Sequence, residues 1–473
     1  MTALVLDLFA GPGGWDEGAR PLGLRPIGIE WDAAACRTGK AAGHARIRAD
    51  VALFSLRRLA RKRVKGVIAS PPCTLFSAAG SGMARLVVEQ LRQGVLDLLD
   101  GNDTRESVRA AIAPVARAEA VKKNDKRPAD KKWDDARLDA AADADAFVAA
   151  LILEPARYIA ELEPEWVAFE QVPEALPVWQ TYAVALRERG WSAWCGVLSS
   201  EQYGVPQTRE RAILIASRVR TVGPPPATHT EYVKGRDRHE EPDLFGDQLA
   251  PWVSLAEGLR AVWPDWHPTA AAYKLSRGEG FTERHGDREP APVDAPAPTI
   301  STKARSAEWV LDTGQTSKTS RGPEPYTRPL DAPAPTLTGQ AGGFWHYRNG
   351  NQPNSALRAL DEPAPTILFG HRSNDVRWVE ERPATTVVGS FCPDVISAPG
   401  YRTQESRQNA EGGVKVTVAE GGVLQSFPPD YPWQGSRTKQ FEQVGNAVPP
   451  LLALHVLAAV TGLALPASAE AAA

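Results

Sequence analysis

Short apolar runs alternate with longer stretches of helical spacing over the first 220 residues of the chain. The apolar runs are ALVLDLF, RPIGIEW, VKGVIAS, PEWVAFEQV and RAILIAS. Apolar runs of this length are typical of strands buried on both faces, and the stretches between them are long enough for crossover helices. The pattern predicts an α/β domain over residues 1–220, built on a doubly wound sheet of parallel strands.

One stretch interrupts this alternation. Residues 84–144 are rich in Ala, Arg and Asp at helical spacing, which predicts a helical insertion into the first domain. The insertion contains the basic sequence KKNDKRPADKKW at residues 122–133. Such a run is as often a solvated helix face as a surface that binds a polyanion. If it binds phosphates, the candidates are Lys122, Lys123, Lys126, Arg127, Lys131 and Lys132.

The composition changes at about residue 221 to Pro, Gly, Thr and Arg, with few long apolar runs. A weak repeat follows, with DAPAPTI at 294, DAPAPTL at 331, DEPAPTI at 361 and EERPATTV at 380. Proline fixes φ and cannot donate to a ladder, so each unit predicts an extended lead into a strand rather than a repeated binding code. We expect a second, smaller, β-rich domain over 221–413. Residues 414–473 return to the earlier pattern and are expected to complete the first domain.

Charge and cysteine content exclude little but remove some classes. The chain has 54 Lys and Arg against 57 Asp and Glu, a net charge of -3, so a nucleic-acid binder would need its basic residues on one face. Four widely spaced cysteines without a C-x-x-C pair predict neither a disulfide framework nor a metal site. The N-terminus lacks the basic start of a signal peptide, and we expect a soluble, cytoplasmic protein.

The first three predicted strands end in residues suited to a nucleotide-like ligand. The first strand ends in LDLFAGPGGW, where Gly11 and Gly13 permit close backbone approach of a ligand, although a glycine turn alone is a weak signal. The second ends in GIEWD, where Glu30 could take ribose hydroxyls and Trp31 could stack on adenine. Asp50 follows the third strand. An adenosine-bearing ligand is favoured, with Trp31 as an ordinary core residue the alternative.

Cys73 follows the fourth strand in ASPPCTLFS. Carbon 5 of cytosine is a poor nucleophile, and transient addition of a thiolate to carbon 6 makes it reactive. A lone cysteine is usually packing. Two preceding prolines and the following AAGSGM segment distinguish Cys73, whereas we assign the remaining three, Cys36, Cys195 and Cys392, to packing.

Polar residues also follow the next two strands. Glu170 in VAFEQV could protonate or hydrogen-bond N3 of a cytosine, although it could equally be a surface carboxylate. The segment QTRER places Gln207, Arg209 and Arg211 at alternate positions, so their side chains share one face. They could converge on a base carbonyl and a phosphate, or form an edge-strand charge cluster.

The ordered set FAGPGG, EW, SPPC, FEQV, QTRER and QVGNAVPP resembles the DNA cytosine-5 methyltransferase family, over roughly residues 1–85, 145–217 and 414–463. The resemblance implies the Rossmann-like fold of S-adenosylmethionine-dependent methyltransferases. It also implies that the cofactor site is lined by Phe9, Ala10, Gly11, Gly13, Glu30, Trp31, Asp50, Val51, Pro71, Asn446 and Val448.

For the reaction, the resemblance implies that Cys73 is the nucleophile and Glu170 the acid. Arg209 would hold the flipped base and steer the catalytic loop, with Gln207 and Arg211 in support. The family's usual Glu-Asn-Val is Glu-Gln-Val here, and the longer Gln171 puts the rate in doubt more than the activity.

The implied partners are double-stranded DNA and a cognate restriction endonuclease, for a monomeric enzyme without a metal. Three alternatives remain: an RNA cytosine methyltransferase, a non-catalytic DNA-binding protein of the same fold, and an enzyme using another one-carbon donor. The large Thr/Arg/Asn-rich stretch at 221–413 favours duplex DNA, and intact Cys73, Glu170 and Arg209 favour catalysis.

A first prediction concerns the target sequence. The family keeps a variable target-recognition domain where residues 221–413 lie, and HYRNGNQ supplies Arg348, Asn349, Asn351 and Gln352. Arginine reads guanine and Asn or Gln reads adenine through paired hydrogen bonds worth roughly 1 to 3 kcal/mol each. Alanine at all four should relax or shift the methylated motif, measured by bisulfite sequencing of a methylation-free host. A lower rate at an unchanged motif would mean that these residues only position the DNA backbone.

Overall fold

A seven-stranded sheet forms the centre of the protein. The structure is a computed structural model that describes residues 4–59, 63–76, 82–232, 249–266 and 417–466, together with short strands between 310 and 415. The sheet has the order β3-β2-β1-β4-β5-β8-β6. Its strands are β1 (Leu4–Leu8), β2 (Ile27–Glu30), β3 (Ala45–Arg48), β4 (Val64–Ala69), β5 (Trp166–Gln171), β6 (Ser192–Ser199) and β8 (Glu210–Ser217). The short β7 (Gln207–Thr208) precedes β8.

Strand direction follows the predicted pattern except at one place. Strands β3, β2, β1, β4 and β5 are parallel, as predicted. Strand β8 runs antiparallel to both β5 and β6, so the expectation of an entirely parallel sheet is wrong. Only the ten residues 200–209 join β6 to β8. A parallel crossover needs a dozen or more, so the chain returns beside β6 in the opposite direction.

Helices cover both faces of the sheet. They are α1 (Gly14–Ala19), α2 (Ala33–Ala41), α3 (Val88–Leu99), α4 (Arg105–Asp125), α5 (Asp135–Ala150), α6 (Glu154–Leu162), α7 (Leu176–Glu188), α8 (Leu255–Arg260), α9 (Val418–Leu424), α10 (Arg437–Asn446) and α11 (Pro450–Thr461). This is an α/β fold built on a mostly parallel sheet. Four helices lie between β4 and β5, where α4 and α5 pack together as a hairpin.

The C-terminal helix α11 packs against α1, β5 and β8. The segment Arg437–Thr461 is apolar and long enough to cross a membrane by composition, but 72% of its most apolar window is buried inside the protein. That burial is what a core helix requires, and the side chains involved, among them Leu452 and Leu457, belong to the core on this face of the sheet.

The region expected to form a second domain is described only in part. Its strands are β9 (Val310–Thr319) paired with β10 (Gly322–Pro329), β11 (Tyr347–Arg348) with β12 (Leu357–Arg358), β13 (Asp375–Arg377) with β15 (Gly413–Lys415), and β14 (Ala384–Thr385) with β7. Most of 221–413, including the first three repeats and residues 349–352, lies outside the described residues. A β-rich domain with these bounds stays a prediction.

Glycine allows α1 to meet the C-terminal segment. A Cβ on Gly14 would lie 2.1 Å from the carbonyl oxygen of Val448, far inside van der Waals contact. We therefore predict that Gly14→Ala lowers the free energy of unfolding by about 1 to 3 kcal/mol, the usual effect of overpacking. Gly223→Ala is the matched control, because nothing lies within 4 Å of that position. Equal melting temperatures for the two variants would contradict the prediction.

Candidate active site

The residues predicted to carry chemistry meet at the carboxyl edge of the sheet. Parallel strands β1 to β5 bring their carboxyl ends to this edge, and the antiparallel β8 begins there. Ligands of open α/β sheets bind at this edge. The glycine turn, Glu30, Asp50, the Cys73 turn, Glu170 and the QTRER segment therefore share one side of the protein.

The turn after β1 is fixed by the carboxylate of Glu30. One Glu30 oxygen accepts the N–H of Gly11 at 2.9 Å and the other accepts the N–H of Asp32 at 2.7 Å. Burial raises the pKa of Glu30, and these backbone donors oppose the rise. Phe9 takes a left-handed φ of 60°, a conformation that a bulky residue adopts only where its surroundings impose it. The surrounding contacts thus determine the backbone shape of this turn.

Trp31 lies at the edge as an open platform. Its side chain is 70% exposed, so the alternative that it is an ordinary core residue is wrong. The Asp50 carboxylate accepts the N–H of Ala52 at 2.8 Å, and Val51 is buried beside it. Ala10 is buried, and its N–H donates to the carbonyl of Ile29. The exposed Trp31 indole follows the buried Glu30 carboxylate in the chain. Together they suit a ligand with a flat ring and hydroxyl groups.

The Cys73 turn is tied to β5 by Gln171. The Gln171 amide donates to the carbonyl of Pro71 at 2.9 Å and to that of Pro72 at 3.3 Å, and its oxygen accepts the N–H of Val172 at 2.8 Å. The longer side chain at this position therefore does not leave the turn unsupported. Cys73 is half-buried at the end of this turn.

Cys73 lies in a cluster of charged groups. Arg211 Nε is 2.8 Å from a Glu170 oxygen, and both side chains are only 8% exposed. Burial raises the pKa of the Cys73 thiol; Arg211 and Arg209 pull it down, while Glu170 pushes it up. The two arginines thus favour the thiolate, the form that acts as a nucleophile.

Arg209 connects this cluster to the C-terminal segment. Its guanidinium donates to the carbonyls of Gly445 at 3.0 Å and Ala447 at 3.1 Å. Burial and the neighbouring Arg211 lower the pKa of Arg209, but an arginine still carries its charge at neutral pH. Asn446, between its two partners, is exposed, and Val448 is buried. Arg209 therefore fastens the C-terminal motif to the QTRER segment.

Gln207 is fully buried, and its amide nitrogen and oxygen have no hydrogen-bond partner among the described residues. Its backbone, in β7, pairs with Ala384 of β14. Such an amide carries a desolvation cost of roughly 1 to 3 kcal/mol. It lies where the catalytic strands meet a segment of the 221–413 region.

Several supporting residues have no sequence signal. The Arg46 guanidinium forms a buried two-point contact with Asp16, at 2.6 and 3.1 Å. The Tyr431 hydroxyl donates to the carbonyl of Pro12 at 2.6 Å, and the Trp15 indole donates to the Ser70 hydroxyl at 2.8 Å. These contacts join segments that are distant in sequence and hold the glycine turn and the start of the Cys73 turn in place.

Comparison with known families gives the class. The family described as C-5 cytosine-specific DNA methylase matches residues 4–93 and 140–461. The chain belongs to this family. The match spans most of the chain and leaves out residues 94–139, which contain α4 and the start of α5. The sequence-based prediction of a DNA cytosine-5 methyltransferase is confirmed at the level of the family.

Curated relatives agree. The chain is 28% identical over 178 residues to the type II methylase M.HgiDII of Herpetosiphon aurantiacus, covering 32% of this chain and 49% of that enzyme. It is 22% identical to the type II methyltransferase M1.HphI of Haemophilus parahaemolyticus, over 97% of this chain and 87% of that one. Among solved structures, S. pombe Dnmt2 methyltransferase gives a TM-score of 0.41 at 12% identity, covering 97% of this chain and 98% of that one, too distant to carry an argument.

We predict that Gln171→Leu weakens both stability and rate. The substitution removes the donor to Pro71 and Pro72 and the acceptor for Val172, and unpaired buried groups cost about 1 to 3 kcal/mol. The Cys73 turn should loosen, so methyl transfer to DNA should fall at least tenfold while the protein still melts cooperatively. Gln434→Leu is the control, because that amide donates only to the nearby Pro432 carbonyl, away from the turn. An unchanged rate of methyl transfer by Gln171→Leu would show that the Cys73 turn does not need the hydrogen bonds of Gln171.

Proposed function

We propose that this protein transfers a methyl group from S-adenosylmethionine to carbon 5 of a cytosine in double-stranded DNA, through a covalent bond to Cys73. One observation supports the proposal most strongly. The Cys73 thiol interacts electrostatically with both members of the Glu170–Arg211 ion pair, at the edge of the sheet where ligands bind. A thiol, a carboxyl group and a fixed cation are the groups that this reaction needs.

The residues around the glycine turn fit the cofactor. The Trp31 indole is open to stacking on adenine, and the Glu30 carboxylate, fixed by two backbone N–H groups, can still accept from ribose hydroxyls. Among the described residues, no atom lies within 4 Å of the point where a Cβ on Gly11 would lie, which leaves space for a ligand against the backbone. The further residues proposed to line this site are Phe9, Ala10, Gly13, Asp50, Val51, Pro71, Asn446 and Val448. When bound, the cofactor supplies an electrophilic methyl group on a sulfonium.

The reaction begins when the target cytosine leaves the duplex, because its ring carbons are not accessible in the stack. The Cys73 thiolate adds to carbon 6, and Glu170 protonates or hydrogen-bonds N3 as charge enters the ring. Carbon 5 would then take the methyl group that the bound cofactor supplies, and the electron pair of the broken carbon–sulfur bond would remain on sulfur. A base removes the proton on carbon 5, the Cys73–carbon 6 bond breaks, and the thiolate is regenerated.

We propose that Arg211 shares the base-holding role with Arg209. Arg211 contacts Glu170, so its guanidinium lies beside the group that meets N3. Arg209 also donates to the backbone carbonyls of Gly445 and Ala447 in the C-terminal motif and favours the Cys73 thiolate. Gln207 supports the junction with the recognition region.

The remaining partners are inferred from the family. We propose a cytoplasmic, monomeric enzyme that protects DNA from a cognate restriction endonuclease, as the type II names of the curated relatives suggest. We propose no metal for this chemistry, because the cofactor and the thiol together supply the electrophile and the nucleophile.

The nucleophile can be tested directly. Cys73→Ser should abolish methyl transfer, a loss of more than about a thousandfold, because a hydroxyl is a far weaker nucleophile at neutral pH. Cofactor binding, measured by calorimetry, should stay within about threefold, since the thiol and the Trp31–Glu30 region belong to different strand ends. A duplex bearing 5-fluorocytosine should trap the wild-type enzyme as a covalent adduct, because fluorine cannot leave as a proton.

Cys195→Ser is the matched control, because that thiol is also half-buried but lies in β6. It should keep full activity. Substantial turnover by Cys73→Ser, or an adduct mapped to Cys36, Cys195 or Cys392, would remove Cys73 from the mechanism.

Mass measurement of nucleic acid after incubation with the protein distinguishes the alternative functions. Incubation with duplex DNA and with RNA of matched sequence, followed by mass measurement, identifies an RNA methyltransferase by methylation of the RNA alone. A non-catalytic DNA-binding protein would bind the duplex without changing its mass. Mass added to DNA only in the presence of S-adenosylmethionine supports the proposed donor.

A further inference from the structure

The turn between α4 and α5, together with the adjoining ends of the two helices, forms the tip of their hairpin. Side-chain contacts hold this tip in shape. The Asn124 amide donates to the carbonyl of Trp133 at 3.0 Å and accepts the N–H of Trp133 at 2.8 Å, which fixes the turn between the helices. The guanidinium of Arg127 lies 4.0 Å from the centroid of the Trp133 ring and that of Arg137 lies 4.6 Å from it. The tip thus holds two arginines on one aromatic side chain, with their orientation restricted before any partner arrives.

The positive charges of the tip fall into two sets. Lys122 pairs with Glu119 at 2.6 Å and Lys132 pairs with Asp125 at 3.6 Å. No ion pair is found for Lys126, Arg127, Lys131 or Arg137 in the part of the chain that the structure describes. Lys123 lies near Asp145, whose pKa it lowers against the effect of burial. The six candidates from the sequence are therefore not equivalent, and Arg137 joins the unpaired set.

The hairpin starts beside the catalytic turn. The N–H of Ala84 donates to the carbonyl of Leu75, two residues after Cys73, and α4 packs against the short helix Met83–Val87. The buried side chains of Val108, Ile112 and Ala116 join the same core as Met83. From Ala116 the helix continues for nine residues to Asp125, about 14 Å at 1.5 Å per residue, in contact with α5.

We propose that the tip of this hairpin contacts the phosphate backbone of the bound DNA through the unpaired set Lys126, Arg127, Lys131 and Arg137. The proposal rests on the proposed function. The chain has a net charge of -3, so its affinity for a polyanion must come from local clusters such as this one. Residues 94–139 lie outside the family match, so the tip is a contact that this chain adds to the shared catalytic domain.

The contact positions DNA without reading it. Lysine and arginine bind phosphate oxygens of any sequence, and such contacts fix register and orientation. Restricted guanidiniums lose less side-chain entropy on binding than free ones. The tip should therefore increase affinity for every duplex and leave the methylated motif unchanged.

Two double variants with equal change in charge test the proposal. Lys126→Gln with Lys131→Gln removes two unpaired lysines, and Lys122→Gln with Lys132→Gln removes two paired ones. Affinity of the full-length protein for a random-sequence duplex is measured between about 50 and 200 mM salt. The unpaired double variant should flatten the slope of log affinity against log salt by about 1.8, since each phosphate contact contributes about 0.9. The paired double variant should flatten it by less than half as much.

Equal slopes for the two variants, whether both changed or both unchanged, would overturn the proposal, as would a change in the methylated motif. All four lysines are exposed, and melting temperatures of the variants should match that of the wild type. If the wild-type protein methylates DNA but the two variants do not differ, only this inference is wrong. If the wild-type protein neither binds nor methylates DNA, the proposed function itself is wrong.

Discussion

The catalytic edge depends on one buried arginine. Arg209 donates to the carbonyls of Gly445 and Ala447, and the next residue, Val448, presents its own carbonyl to Gly14 of the first helix. A single short segment therefore touches both Arg209, the residue before β8, and the first helix, next to the glycine turn. A buried guanidinium without acceptors would be strongly destabilising, so the segment and the arginine require each other.

Hydrogen bonds to backbone groups also set the positions of the two turns at this edge. The glycine turn is fixed by Glu30 from one side and by Tyr431 from the other. The Cys73 turn is fixed by Gln171. Each of these ties ends on a backbone group, so the positions of the turns depend little on the identity of the side chains they carry. Such ties restrict the movement of both turns, and restricted movement is what rate acceleration through positioning requires.

The sequence predicted the parallel part of the sheet and the edge at which the site lies, because apolar runs and their polar ends report strand position directly. It did not predict the ion pair between Arg211 and Glu170. Alternate spacing shows that the two arginines share a face, but the partner of each depends on register between β5 and β8, where Gln171 lies opposite Ala212. It also did not predict the antiparallel direction of β8, which depends on the short connection between β6 and β8. The Arg46–Asp16 contact joins residues thirty positions apart by packing alone, and no local pattern marks it.

The attachment of the C-terminal segment also has a consequence for synthesis of the protein. Arg209 and its acceptors Gly445 and Ala447 are more than 230 positions apart. Closing a loop of this length costs only about 0.6 kcal/mol more than closing one half as long, so the separation is thermodynamically tolerable. A ribosome adds roughly 5 to 20 residues per second, so the arginine waits ten seconds or more for its acceptors. During that interval the domain is incomplete, and the edge that holds Cys73 and Glu170 lacks the segment that contacts Arg209.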